Sequence, residues 1–494
     1  MIKKFIKLFV IIIPTFCFSQ KQGNIWYFGI QSGIDFSSGV PVPLPGGMTG
    51  TDIGGDNQEG TACISDSSGN LLFYTGGCKT IWNRNHVPMP NGTGLMGGSS
   101  STQTSMIIPL PGSDSLFFVF TSDEFQSYSH PPQKGYRYSV VNMCLDNGNG
   151  DVILTEKNVL LLDSSTEKLA ACKDANGNGY WILGHKMYSN QFNAWHLTSL
   201  GITNIVISRV GTIHGWDIIN SVWNDGAAQG QMKFNPSGTK LALVLGNSEP
   251  AVLDLFDFDK ITGSITNFCH FSIDSAAQAR AYGVEFSPDG SKLYVGVAYS
   301  FGKYLYQFDL LAGGGNCSSI FSSRTKIFQS SSNSVIFGMQ LAPNNKIYLV
   351  GNNYYTLSCI NAPNATGVAA NFDSSAIAIP GIGGMSLPAF ISGYQYCNQK
   401  NSCAAGNGLK NYYCSNRVLT FPNPTSDKVI FSINADSIQN VIIDIFDSKG
   451  QVICSERALA KSNIEINSSI FSPGIYFVKI SIGAFIVSGS FIKE

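Results

Sequence analysis

"GVEFSPDGSKLYVG", residues 283–296, repeats with few changes a stretch already used at 231–246, "QMKFNPSGTKLALVLG". Each reads as an apolar strand, a Pro-x-Gly turn, a lysine and a second apolar strand, which is the pattern of a β-hairpin. Aligned on the turn, the unit recurs in "ACISDSSGNLLFY" (62–74), "MIIPLPGSDSLFFVF" (106–120), "AACKDANGNGYWIL" (170–183) and "MQLAPNNKIYLV" (339–350). The turn residues Gly69, Gly112, Gly177, Gly238, Gly290 and Asn345 stand 43 to 65 residues apart. Gly or Asn at that point supplies the positive φ of a tight reversal.

Further strand-like segments lie between the hairpins, among them "YRYSVVNM" (136–143), "QFNAWHL" (191–197), "VLDLFDFD" (252–259) and "YLYQFDL" (304–310). One hairpin plus two outer strands makes a four-stranded blade, and this period is the one blades produce. The expectation is an all-β chain whose main part, residues 21–394, is a β-propeller. "NIWYFGIQSGIDFSSGVPV" (24–42) reads as outer strands without a hairpin, and "GGMSLPAFISGY" (383–394) as an inner strand without followers. Joined, they form one split closing blade, which with six whole blades predicts seven. Closing a loop of about 350 residues costs on the order of 5 kcal/mol. Burying Trp26, Tyr27 and Phe28 returns roughly 1.5 to 3 kcal/mol each.

The chain opens "MIKKFIKLFVIIIPTFCFSQ", with lysines at 3, 4 and 7 and an apolar run from Leu8 to Ile13. Residues 1–20 are predicted to be a secretory signal peptide, since the run falls short of the roughly 20 apolar residues that span a bilayer. Removing Lys3, Lys4 and Lys7 from 31 basic residues leaves 28 against 32 acidic ones. With no concentrated basic face, nucleic acid is not an expected partner, and no later segment reads as a membrane span. Eleven of the twelve cysteines follow Cys17, in an exported chain where oxidation is allowed. Cys397, Cys403 and Cys414 suggest a local disulfide, and the sequence assigns no connectivity.

From Val418 the composition changes. "VLTFPNPTSDKVIFSI", "NVIIDIFDSKGQVI" and "SSIFSPGIYFVKISIGAFIVSGSFIKE" alternate strands with Asp-Ser-Lys-Gly and Ser-Pro-Gly turns, which predicts a small Ig-like β-sandwich over 418–494 after a linker at 395–417. This tail resembles the type A C-terminal sorting domain of Bacteroidetes type IX secretion cargo. The residues that carry the likeness are Pro422-Asn423-Pro424 opening the first strand, Asp447-Ser448-Lys449-Gly450 in a hairpin, Pro473-Gly474-Ile475-Tyr476 before the penultimate strand, and Lys493 near the end. The resemblance implies export to the periplasm, passage across the outer membrane by the type IX machinery, tail removal, and release or attachment at the cell surface. The larger part looks like the uncharacterised propeller domains of such cargo, a likeness that implies no activity.

Chemistry is sparsely written. "DANGNG" (174–179) opens like a calcium loop, but position twelve is His185 rather than Glu, so a hairpin turn is expected. No cofactor and no metal ligand set are predicted, calcium being the one cation the sequence brings to mind. No G-x-S-x-G or Walker loop occurs. Ligands of propellers meet the face where inner strands begin, and Glu59, Ser101, Glu167 and Gln229 occupy equivalent positions there. The connections 121–135 and 184–191 would add Asp123, Glu124, Tyr128, His185 and Tyr188. Aromatic faces beside carboxylates suit a sugar or a cation. Three functions stay open: a binding or adhesion module for a glycan or protein; an enzyme of the lactonase, lyase or glycosidase kind with carboxylates at the channel mouth; and a structural surface protein.

Overall fold

The computed structural model describes residues 21–49, 59–76, 78–124, 134–217, 222–223, 225–246, 248, 250–274, 279–299, 302–331, 338–353, 355–393, 419–421, 423–432, 439–460, 463–482 and 485–494. The predicted signal peptide and linker, Tyr128, Pro422, and Cys397, Cys403 and Cys414 lie outside them.

Each predicted hairpin is present and begins a sheet. Residues 62–93, 169–214, 232–274, 280–330 and 339–378 each form four antiparallel strands in up-and-down order. Residues 105–162 do the same with an added strand, Val159–Leu162, on Tyr136–Asn142. All six turn positions named above have positive φ, from 61° at Asn345 to 97° at Gly69. The turns are locked by short acceptors: Asp66 Oδ1 takes the amides of Ser68 and Asn70, and Asn235 Oδ1 those of Thr239 and Lys240. The repeated lysine also has a partner in the sheet. Lys240 pairs with Asp257 at 2.6 Å and Lys292 with Asp309 at 3.0 Å, each directly opposite on the third strand.

First strands of successive sheets touch one another. Ile25–Phe28 lies against Ala62–Ser65, and the series runs on through Ser105–Pro109, Leu169–Lys173, Met232–Phe234, Arg280–Phe286 and Met339–Leu341. The circle is completed where Tyr348 meets Phe36 (5.5 Å between rings) and Trp26 (6.2 Å). Trp26 and Phe28 are fully buried in a core shared by the two ends of the series. Consecutive up-and-down sheets arranged in a ring are the architecture of a β-propeller.

The closing element differs from expectation. Residues 25–45 form a three-stranded sheet, Ile25–Phe28, Ser32–Asp35 and Val42–Pro45, and residues 383–393 do not pair with it as a fourth strand. The two ends do meet: Ile30 bridges Ile382, and Trp26 lies 5.8 Å from Phe390. The segment then continues as a strap inside the ring. It runs parallel to first strands of other sheets, with bridges Thr61–Pro388 and Cys172–Ser392. Pro388 has no amide to donate and glycines stand at 381, 383 and 384, which disfavours a regular ladder.

In the tail, Leu419–Phe421, Lys428–Ser432 and Asn463–Asn467 make one sheet, and Gln439–Phe446, Val452–Ala460, Gly474–Ile482 and Phe485–Lys493 another. Val429, Phe431 and Ile466 of the first share a core with Ile443, Val478 and Phe491 of the second. A disulfide, Cys269–Cys317, fastens the outer strand Ile265–Asp274 to the helix Cys317–Ser322.

Candidate functional site

The starts of the first strands bring part of the predicted set together. Glu167 is fully buried, and its Oε2 accepts from the Thr102 amide at 2.9 Å and the Thr102 hydroxyl at 2.7 Å. The same hydroxyl accepts from the Gly230 amide, so one carboxylate and one threonine tie three sheets. Glu59 is 8% exposed, and its Oε2 has no hydrogen-bond partner among the described residues. Burial, then the charge of Glu167, holds the Glu59 carboxyl well above the ordinary range, with Tyr282 and Glu124 close by. Two carboxylates so close in a buried site disfavour being charged together.

The remaining residues are committed elsewhere. Glu124 Oε2 accepts from the Ser100 amide at 2.7 Å and the Ser99 hydroxyl at 3.2 Å. Asp123 is buried, accepts the amides of Lys134 and Glu124, and lies 3.7 Å from Lys134 Nζ. Gln229 contributes its backbone: its carbonyl accepts from Lys168 Nζ at 2.5 Å. Lys168 is wholly buried, also donates to the Ala228 carbonyl, and is pushed down to about 7 by burial.

His185 does not face the carboxylates. It stacks on His214 with ring centres 3.6 Å apart and meets Phe192 edge-on at 4.5 Å. Burial, then the Lys168 charge, pushes His185 down to about 3, and burial followed by His185 and Lys168 holds His214 well below the ordinary value. Neither ring nitrogen of His185 has a hydrogen-bond partner among the described residues. Tyr188 adopts φ 56° and donates its amide to the His214 carbonyl. The "DANGNG" segment is a turn: Asp174 Oδ1 takes the Asn178 amide, and Oδ2 meets His196 Nε2 at 3.2 Å.

Sequence reasoning missed Thr102, Lys168 and His214, and with them the filling of the centre. Gln103 Oε1 accepts from Met232 and Leu169, and Gln231 Oε1 from Met339 and Val284. Below them Lys233 meets Glu285 at 3.3 Å and Gln340 at 2.5 Å. The strap fills the rest, with Ser386, Leu387, Ala389, Phe390 and Ile391 buried. The one legible signal was the polar run 99–104 ahead of an apolar strand. Among the described residues, no three or more His, Cys, Asp or Glu side chains gather as a metal site.

The tail motif is assembled by the fold. Asn423 Oδ1 accepts the Ile492 amide at 2.8 Å, the Thr425 amide donates to the Ile492 carbonyl, and Lys493 bridges Thr425. Gly474 begins a strand in register with Lys493, and the Tyr476 hydroxyl donates to the Ser472 carbonyl at 2.6 Å. The opening and the end of the tail thus hold each other.

Residues 419–494 match the family described as the secretion system C-terminal sorting domain. No curated protein matches the chain. Among solved structures, it is similar to a functionally unknown protein from Desulfotomaculum acetoxidans (15% identity, 74% of this chain and 99% of that one, TM-score 0.40). It is likewise similar to a putative 6-phosphogluconolactonase from Bacteroides uniformis (11%, 72% and 97%, TM-score 0.43). A third is the Cps50 (Swd1) β-propeller domain from Myceliophteria thermophila (12%, 68% and 92%, TM-score 0.38). At TM-scores this low the likenesses bear on neither ligand nor reaction. The chain is thus a β-propeller ring followed by a tail that matches the secretion system C-terminal sorting domain, which supports its reading as type IX secretion cargo.

Proposed function

We propose that the exported ring is a seven-bladed propeller, its closing blade built from residues 25–45 with the strap, and that it acts as a binding or adhesion module for a glycan or protein, with the Ig-like tail serving export. The filled centre carries this reading. Strap, glutamines and the Lys233–Glu285 pair occupy the axis, and Glu167, Glu124 and Asp123 are spent on holding loops, so a partner is met by the face rather than a deep channel. Full-length protein displayed on cells, tested on a glycan array and against surface proteins of its neighbours, should bind. Absence of binding together with turnover of a lactone or glycoside would replace this reading.

The second reading, an enzyme, is favoured by one observation: Glu59 and Glu167 come together in a buried site, where burial and then the Glu167 charge raise the Glu59 carboxyl in the direction a proton donor needs. Hydrolysis of a lactone or glycoside panel that vanishes in Glu59→Gln is its test.

A further inference from the structure

The strap is held as a peptide ligand is held. Its backbone pairs with two first strands, Ala389 N to Thr61 O and Ser392 N to Ala171 O, both at 2.8 Å, and Met385 O accepts from Gly338 N. Its side chains go to two apolar clusters. Leu387 and Phe390 join the cluster of Trp26 and Tyr348, while Ala389 and Ile391 join that of Ile64 and Leu169. Main-chain pairing together with apolar pockets for the side chains is a way an extended peptide is recognised.

The cleft is also cut to the size of a chain. A Cβ on Gly338 would stand 3.0 Å from the Ser386 Cα, and one on Gly29 1.9 Å from the Ile382 carbonyl. The strap enters among the strand starts, where the Ser386 hydroxyl donates to the Thr102 carbonyl. It leaves among the hairpin turns, where Gly393 lies against Pro236.

We propose that the axis of the ring is a peptide-binding groove specific for an extended Met-Ser-Leu-Pro-Ala-Phe-Ile-Ser segment, occupied by residues 385–392 of the same chain. The segment holds the sorting tail to the ring by non-covalent contacts in addition to the covalent chain. Cutting the chain ahead of the strap then leaves ring and tail together.

The test uses the full chain with a protease site inserted between Pro380 and Gly381, cut after folding. The fragment 381–494 should co-elute with the ring in gel filtration. A synthetic peptide of residues 381–393 should displace it at micromolar concentration. The same peptide carrying Phe390→Ala should need roughly a few hundredfold to a few thousandfold more, the loss expected when a buried phenylalanine is truncated. The ring itself is unaltered in that comparison, so misfolding cannot imitate the result. The proposal is overturned if the fragment leaves on cutting while the ring keeps its native tryptophan fluorescence. It is equally overturned if no concentration of peptide displaces the fragment below the melting temperature of the ring.

Discussion

At the scale of single residues, the centre of the ring shifts some ionisable groups toward their neutral forms, Glu59 upward and His185 and His214 downward. Glu59 keeps a proton that the unfolded chain gives up near its ordinary value of 4.5. Its raised pKa costs nothing below that pH and costs more as pH rises toward the folded value. Glu59→Gln removes the cost, so its melting temperature should equal the parent's below pH 4.5 and exceed it increasingly toward neutrality. The buried histidines have the opposite sign. His185, depressed from 6.5 to about 3, contributes stability that is full above pH 6.5 and is lost as pH falls toward the folded value. The loss is roughly 1.4 kcal/mol for each pH unit crossed. His185→Phe should keep the stack on His214 and flatten the acid limb of a melting-temperature profile; an unchanged slope would clear His185 of the effect.

At the scale of elements, two connections carry more than their length suggests. Phe390→Ala in the intact chain empties part of the Trp26 cluster and should cost about 3–5 kcal/mol in denaturant unfolding. The Cys269–Cys317 bridge spans 48 residues, a loop for which chain entropy gives about 4 kcal/mol. Replacing both cysteines by alanine should lower the unfolding midpoint accordingly, and equal midpoints would show the bridge to be idle. The hairpins were legible because Gly238 and Gly290 must be left-handed and their neighbours alternate. The strap was not. "GGMSLPAFISGY" has the apolar content of an inner strand, and only the packing of distant first strands decides that it lies along the axis instead.

At the scale of the molecule, the ring and its address were both readable in advance, for different reasons. The ring announces itself by period. The tail does so because Asn423 and Lys493, far apart in sequence, are drawn together by one register. The candidate site was legible only as positions: Glu59 and Glu167 do converge, whereas His185 turns toward His214, a pairing that needs the fourth strand of its sheet to be placed first. Deleting residues 419–494 should leave a ring with the parent's melting temperature that stays inside the cell envelope, as fractionation would reveal; its appearance outside would mean that the tail is dispensable for export. Because the strap is the last part of the propeller to be synthesised, a chain that terminates before residue 385 lacks both its axis and its export tag. Truncated products would stay behind for proteolysis, so the order of segments along the gene itself acts as a check on what reaches the cell surface.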